Sequence, residues 1–94
     1  MRHGVRREVS EQELNSIADA ELRYLVTIAW SEQDQVYIAR VPDLPGCAAD
    51  GPTYEQAAIE IREAMRLWLW AAKDRGEIVP QPSRAFAAAS SALA

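Results

Sequence analysis

The segment VPDLPGCAADGPT, residues 41–53, joins a run of strand-forming residues to a run with helical periodicity. It holds three prolines and two glycines, with a single bulky apolar side chain, Leu44, in its centre. Prolines preset φ and glycines accept positive φ, so such a connector turns the chain tightly at a low cost in conformational entropy. The stretch therefore predicts sharp corners between a strand and a helix that folds back over it.

Two turns and a short strand are predicted inside this connector. The first turn begins at Pro42, and the Asp43 carboxylate can accept hydrogen bonds from backbone amides further on. The second, Pro45-Gly46, has the residue order of a type II turn. Residues 47–50, CAAD, are then predicted to pair as a third strand.

Two runs before the connector have the composition of β-strands. Tyr24–Trp30, YLVTIAW, and Val36–Val41, VYIARV, are rich in β-branched and aromatic residues. The link between them, Ser31–Gln35, is polar and has the length of a hairpin loop. Alternate residues of each strand should face opposite sides of the sheet.

The longest helix is predicted from Thr53 to Arg75, and both of its ends carry capping signals. Thr53 and Gln56 fit a capping box at the start, and Gly76 is placed for the left-handed position after the end. Apolar residues at helical spacing gather on one broad face, which should pack on the sheet. This face consists of Tyr54, Ala57, Ala58, Ile61, Met65, Trp68, Leu69 and Ala72.

A second, shorter helix is predicted near the N-terminus. Residues 1–9 form a basic arm, and the sequence S-E-Q-E from Ser10 fits a capping box. Apolar residues on one face then predict an amphipathic helix to about Ala20. This helix could cover the domain's own sheet, exchange onto a second subunit or contact a partner.

The C-terminal end allows two interpretations. Residues Arg84–Ala88 could add a last edge strand, or they could belong to a tail. The expected organisation is a basic arm with a short helix over residues 1–21, a folded domain over residues 22–84 and an Ala-rich tail over residues 85–94.

Composition limits the class of protein. Ninety-four residues suffice for one small domain, and the net charge of −4 favours a basic protein partner over bare nucleic acid. No apolar run reaches the roughly 18 residues that a membrane span needs, and no apolar segment fits a secretory signal. The single cysteine, Cys47, cannot form an internal disulfide, so a reducing, cytoplasmic location is expected.

A longer set of residues, from about Tyr24 to Ser83, resembles the HicB family, the antitoxins of bacterial toxin–antitoxin pairs. The family pattern is carried by Tyr37-x-Ala39-x-Val41-Pro42-Asp43-Leu44-Pro45-Gly46-Cys47, Gly51-x-Thr53-x-x-x-Ala57, Glu63-Ala64 and Gly76-x-Ile78-x-Pro80-x-Pro82-Ser83. The most specific part is PDLPGC followed by G-x-T, because its prolines and glycines have fixed spacing.

The resemblance implies a small α+β domain with a β-β-β-α-β order, a reduced form of the RNase H architecture. It also implies a protein that binds and silences HicA, a small basic ribonuclease that cleaves messenger RNA. Many members carry a C-terminal ribbon-helix-helix or helix-turn-helix module. Only eleven residues follow Ser83, so direct DNA binding is not expected.

No catalytic, cofactor or metal site is predicted. A two-metal nuclease needs several carboxylates on adjacent strands, and the first two predicted strands contain none. Asp43 and Asp50 lie in turns, where carboxylates commonly cap backbone amides. His3, the only histidine, lies in the basic arm, and Cys47 has no neighbouring histidine to activate it. Cys47 is therefore expected to be a small packed residue.

A candidate interface lies on the far side of the main helix, with Trp70 opposite Ile61 at about 100° per residue. Its residues are Ile59, Glu63, Arg66 and Trp70. Tryptophan and arginine are enriched in binding hot spots, so this face is a candidate for self-association first and toxin binding second. Alternatively, the N-terminal helix or the C-terminal tail covers Trp70 within the same chain.

Two functions follow from these observations. The first is an antitoxin that neutralises a HicA-like toxin by protein–protein interaction. The second is an orphan HicB-like module that forms homo-oligomers and has no toxin partner.

Overall fold

A computed structural model of the chain describes residues 9–82. Its elements are α1 (Glu11–Asn15), a 3-10 turn (Asp19–Leu22), β1 (Thr27–Ser31), β2 (Val36–Arg40), β3 (Ala48–Gly51) and α2 (Tyr54–Asp74). This order confirms the predicted α+β class, with three strands followed by the main helix and preceded by a short one. The candidate last strand, Arg84–Ala88, lies outside the described residues.

The three strands form an antiparallel sheet in the order β1-β2-β3. Ile28 of β1 and Ala49 of β3 both pair with Ala39 of β2, so these three side chains share one face. That face lies under α2, and Ala39 at its centre is completely buried. The opposite face carries the alternate residues and is not covered by any element within residues 9–82.

The first strand starts later than the sequence pattern predicts. It begins at Thr27 rather than Tyr24 and continues to Ser31. Tyr24 is instead tied to two other segments, because its backbone amide donates to the Leu22 carbonyl and its hydroxyl donates to the Pro80 carbonyl. Burial, together with the negative charge of Asp43 and Glu21, raises the pKa of the Tyr24 phenol.

The predicted bounds of the main helix are confirmed to within one residue. At its start, the Thr53 hydroxyl accepts a hydrogen bond from the Gln56 amide at 3.0 Å. The predicted capping box is incomplete, however, because the Gln56 side chain reaches forward to the Glu60 carboxylate at 2.8 Å. At its end, Gly76 has φ +72°, and the Glu77 amide donates to the Ala72 carbonyl at 2.8 Å in a Schellman motif.

The core lies between α2 and the sheet. The buried residues of α2 all belong to the predicted apolar face, and they are Ala57, Ile61, Met65, Leu69 and Ala72. Tyr54, which was also predicted for that face, is 54% exposed. It lies in the first turn of α2, where its ring contacts that of Tyr37 with 4.2 Å between the ring centroids instead of entering the core.

The N-terminal helix is shorter than predicted. The Ser10 capping box is present, with the Ser10 hydroxyl accepting from the Glu13 amide at 3.1 Å. The helix stops at Asn15 because the Ser16 hydroxyl donates to the Glu13 carbonyl and competes with a further helical turn. The chain extends at Ala18 before the 3-10 turn, and this path buries both Ile17 and Leu22.

Among the described residues, no helix combines the length and the apolar character required to cross a bilayer.

Candidate protein-interaction site

The helix α2 has two flanks that differ in what contacts them. One flank is contacted by residues 9–22, which we call the N-terminal segment. The other flank lies beside β3, where α2 makes its most extensive contact with the sheet.

Three cationic side chains of α2 hold the N-terminal segment in place. Arg66 donates to the Ile17 carbonyl and also pairs with the Asp19 carboxylate. Arg62 contacts the same carboxylate at 3.2 Å, and Lys73 pairs with Glu21. We call this set of contacts the clamp. The hydrogen bond from Lys73 holds the pKa of the Glu21 carboxyl below its usual value.

The N-terminal segment lies against α2, a position that none of the three alternatives for its helix had named. Within the chain, α1 and the 3-10 turn contact α2 rather than covering the sheet. Ile17 and Leu22 join the core cluster, with exposed fractions of 2% and 6%. The segment therefore extends the hydrophobic core along one flank of α2.

Arg66→Ala is expected to destabilise the domain by about 1.5 kcal/mol, because hydrogen bonds to charged groups contribute roughly 1.5–3 kcal/mol. The Arg66 side chain is only 15% exposed, so solvent screens its contacts weakly. Urea unfolding gives the free energy, and hydrogen exchange of residues 17–22 reports whether the N-terminal segment detaches.

Arg75→Ala is the matched control. Arg75 pairs with Glu77 two residues away and its side chain is 56% exposed, so no measurable change is expected. Equal losses from both variants, or unchanged exchange at residues 17–22 in the Arg66 variant, would contradict the assigned role of the clamp.

The four candidate interface residues do not form one exposed patch. Ile59 is 54% exposed, and the Glu63 carboxylate lies 3.7 Å from Nε of Arg66. Arg66 itself belongs to the clamp. Trp70 is half-buried and packs against the core cluster. A binding role for these residues stays a prediction.

The connector motif contributes Leu44 and Cys47 to the core and leaves Pro42, Pro45 and Gly46 exposed. Leu44 is completely buried, and the turn around it is closed by hydrogen bonds from the Leu44 amide to the Val41 carbonyl and from the Cys47 amide to the Leu44 carbonyl. The Trp68 indole donates to the Pro45 carbonyl at 2.9 Å and ties this turn to α2. Gly46 has φ +81°, as a turn glycine requires.

The Cys47 thiol is buried beside this turn, as expected for a packed residue. Burial raises its pKa, so the thiol stays protonated at neutral pH and is a poor nucleophile. Within residues 9–82, no three His, Cys, Asp or Glu side chains are grouped so as to hold a metal ion.

The flank of α2 beside β3 contains a groove that the sequence did not predict. The groove has a volume of about 280 Å³ and lies between the start of β3 and α2. Its lining residues are Gly46, Cys47, Ala48, Ala64, Leu67, Trp68 and Ala71. Leu67 is 47% exposed at its rim. The helical spacing of Ala64, Leu67 and Ala71 indicates a stripe of small and apolar residues on α2. That this stripe borders a groove depends on β3 being an edge strand.

These features define a small α+β domain with one flank of its helix covered by the N-terminal segment and the other flank open. Residues 24–91 match the family described as the HicB-like antitoxin of bacterial toxin–antitoxin systems. Because this match spans most of the chain, the protein belongs to the HicB-like antitoxin family, and the resemblance of its motifs is confirmed.

The chain is also similar to the UPF0150 protein Ta0767 of Thermoplasma acidophilum. The two are 37% identical over 60 residues, which cover 64% of this chain and 86% of that protein. No solved structure matches the chain significantly.

Proposed function

We propose that this protein neutralises a HicA-like, mRNA-cleaving toxin by binding to it. The observation that carries the proposal is the match of residues 24–91 to the HicB-like antitoxin family, whose description names a toxin–antitoxin system. The resemblance read from the PDLPGC motif adds that the toxin partner is small and basic.

The charge of the domain supports a basic partner. Residues 9–82 contain thirteen Asp and Glu residues and six Lys and Arg residues. Four of the six cations, Arg62, Arg66, Lys73 and Arg75, are already engaged in ion pairs within the chain. The remaining exposed charge is therefore mostly negative, which accelerates and orients the encounter with a basic surface.

This charge also explains how binding could inhibit a ribonuclease. A protein that cleaves messenger RNA must attract phosphates with lysine and arginine side chains. Carboxylates of the antitoxin compete for the same side chains, so the toxin cannot hold RNA while the antitoxin is bound. No chemical step by the antitoxin is required, and we assign it no enzymatic activity. We place both proteins in the cytoplasm, where messenger RNA is translated.

The proposal is tested by expressing the chain together with the protein encoded in the adjacent reading frame. We expect that neighbour to be short and basic, to stop growth when expressed alone and to lose this effect when the antitoxin is co-expressed. Direct binding is checked by co-purification of the two tagged proteins. A gene without such a neighbour, or a toxic neighbour that the folded antitoxin does not neutralise, would count against the proposal.

The alternative, an orphan module that acts as a homo-oligomer, is favoured by the exposed apolar side chains of α2. Ile59 and Leu67 are about half exposed and lie about two turns apart along α2. Light scattering coupled to size-exclusion chromatography measures the oligomeric state. A stable oligomer that Ile59→Arg dissociates, in a chain without a toxin neighbour, would favour this alternative.

A further inference from the structure

Among residues 9–82, the strand β3 lies at an edge of the sheet and one of its two hydrogen-bonding sides is free. Sheet order places β2 on one side of β3, and no other strand within residues 9–82 pairs with its second side. The Val41 amide donates to the Cys47 carbonyl at 3.1 Å, and the antiparallel alternation continues from this pair. The backbone N–H and C=O groups of Ala48 and Asp50 therefore point away from β2, towards the free edge.

The apolar groove lies directly beside this edge on the helix side of the sheet. Ala48 of β3, with Gly46 and Cys47 just before it, lines the groove opposite Leu67 and its neighbours on α2. In an added strand, alternate side chains point to opposite faces of the sheet. One set of those side chains would enter the groove and contact Leu67, whose side chain is otherwise half exposed.

The charges near the edge select the kind of strand that fits. Asp50 pairs with Ile38 on the outer face, and its side chain is exposed. Glu60 lies one helical turn before Ala64, on the same stripe of α2 as the groove. The nearest cation on the outer face, Arg40, lies on β2, one strand further from the edge. The edge therefore presents negative charge to a new strand.

We propose that the free edge of β3 and the adjacent groove form the docking site for an extended basic segment of the partner protein. Its backbone pairs with Ala48 and Asp50, its apolar side chains enter the groove, and its Lys or Arg side chains face Asp50. This is strand addition with a specific side-chain pattern of alternating apolar and basic residues. The inference rests on the proposed function, since it names the surface that would hold a basic toxin.

A second copy of the chain fits this edge less well. Two β3 strands paired around Ala49 would place two Asp50 carboxylates on the same outer face, on neighbouring strands. The two α2 flanks would bring their Glu60 carboxylates towards each other as well. Like charges on paired strands are destabilising, whereas a basic strand neutralises them.

The test uses a synthetic peptide and the full-length protein, so it does not require the toxin. The peptide acetyl-Lys-Leu-Lys-Leu-Lys-Leu-Lys-amide is titrated into the isotope-labelled protein and followed by NMR. We expect the largest shifts at the Ala48–Gly51 amides and the Trp68 indole, with slower hydrogen exchange at the Ala48 and Asp50 amides. A peptide of the same composition with its leucines and lysines in separate blocks should bind at least tenfold more weakly.

Two matched variants locate the site. Leu67 and Ile59 lie on the same helix, and their exposed fractions of 47% and 54% make both replaceable without loss of the fold. Leu67→Arg puts a cation and a bulkier side chain into the groove and should weaken peptide binding at least tenfold. Ile59→Arg lies away from the groove and should change the affinity by less than twofold.

Each contrary result overturns the inference. These results are no binding of the alternating peptide, shifts centred on Ile59 or on the outer-face residues Val36 and Ile38, equal binding of the block peptide, and equal effects of the two variants. Concentration-dependent pairing of β3 in the protein alone would assign the edge to a second copy. If the protein fails to neutralise a toxin but binds the alternating peptide at β3, the proposed function is refuted and the docking site is retained. The two failures are therefore distinguishable.

Discussion

Leu44→Ala is expected to lower the free energy of unfolding by about 2–5 kcal/mol, the cost of removing a fully buried leucine and leaving a cavity. Leu44 is completely buried although it lies in a connector between β2 and β3. Its amide and carbonyl both take part in the turn that ends at Cys47, so the surrounding backbone has little freedom to collapse into the cavity. Urea unfolding followed by tryptophan fluorescence measures the loss.

Leu67→Ala is the control for this prediction. It removes the same atoms from a side chain that is 47% exposed, and it should cost less than about 1 kcal/mol. Similar losses for the two variants would mean that the connector does not insert Leu44 into the core. A change in how steeply the free energy of unfolding falls with urea concentration would indicate instead that the variant alters the compactness of the unfolded or the native state.

Gly51→Ala is expected to destabilise the domain by about 3 kcal/mol, at the upper end of the cost of overpacking. A Cβ at this position would lie 2.7 Å from the backbone nitrogen of Ala57. Because that atom belongs to the first turn of α2, the clash cannot be relieved by rotating a side chain. The helix has to move away from β3, which weakens the contact that buries the core. The variant is measured by the same urea titration.

Gly46→Ala is the control for Gly51→Ala, because it introduces backbone strain without a close approach between atoms. Gly46 has φ +81°, and no atom lies within 4 Å of the position of a Cβ there. Only the left-handed conformation is then penalised, by roughly 1–2 kcal/mol. A loss at Gly46 that equals or exceeds the loss at Gly51 would refute the argument from close approach.

Leu44 and Gly51 also explain the spacing of the residues in the connector motif. The proline-glycine corners return the chain to the sheet, Leu44 joins the core cluster, and Gly51 leaves room for the backbone of the first turn of α2. The predicted functional residues Pro42, Asp43, Pro45 and Gly46 lie next to Leu44 in the chain. We therefore expect these residues to act by positioning β3, whose outer edge is the proposed docking surface.

Local signals in the sequence predicted most elements because their causes are local. Serine and threonine caps, a glycine after the last turn and β-branched runs act within a few residues of where they stand. The apolar face of α2 was also readable, since any helix of that length must bury one stripe. The division into residues 1–21, 22–84 and 85–94 stays a prediction.

Errors occurred where a contact between distant segments decided the outcome. Tyr24 looks like the start of a strand, but its hydroxyl donates to the Pro80 carbonyl 56 residues away. The partial burial of Trp70 against the core cluster also depends on distant segments, and its binding role stays a prediction. The clamp on α2 joins residues more than forty positions apart, so no local pattern reveals it.

The amino-acid order of this chain was enough to establish its family, its three strands and its capped helix, because each depends on residues close together in the chain. The covered flank of α2, the groove beside Leu67 and the free edge of β3 depend on which segments pack side by side. That choice is made by the burial of apolar surface summed over the whole domain. The proposed docking surface could therefore be inferred only after the fold was known.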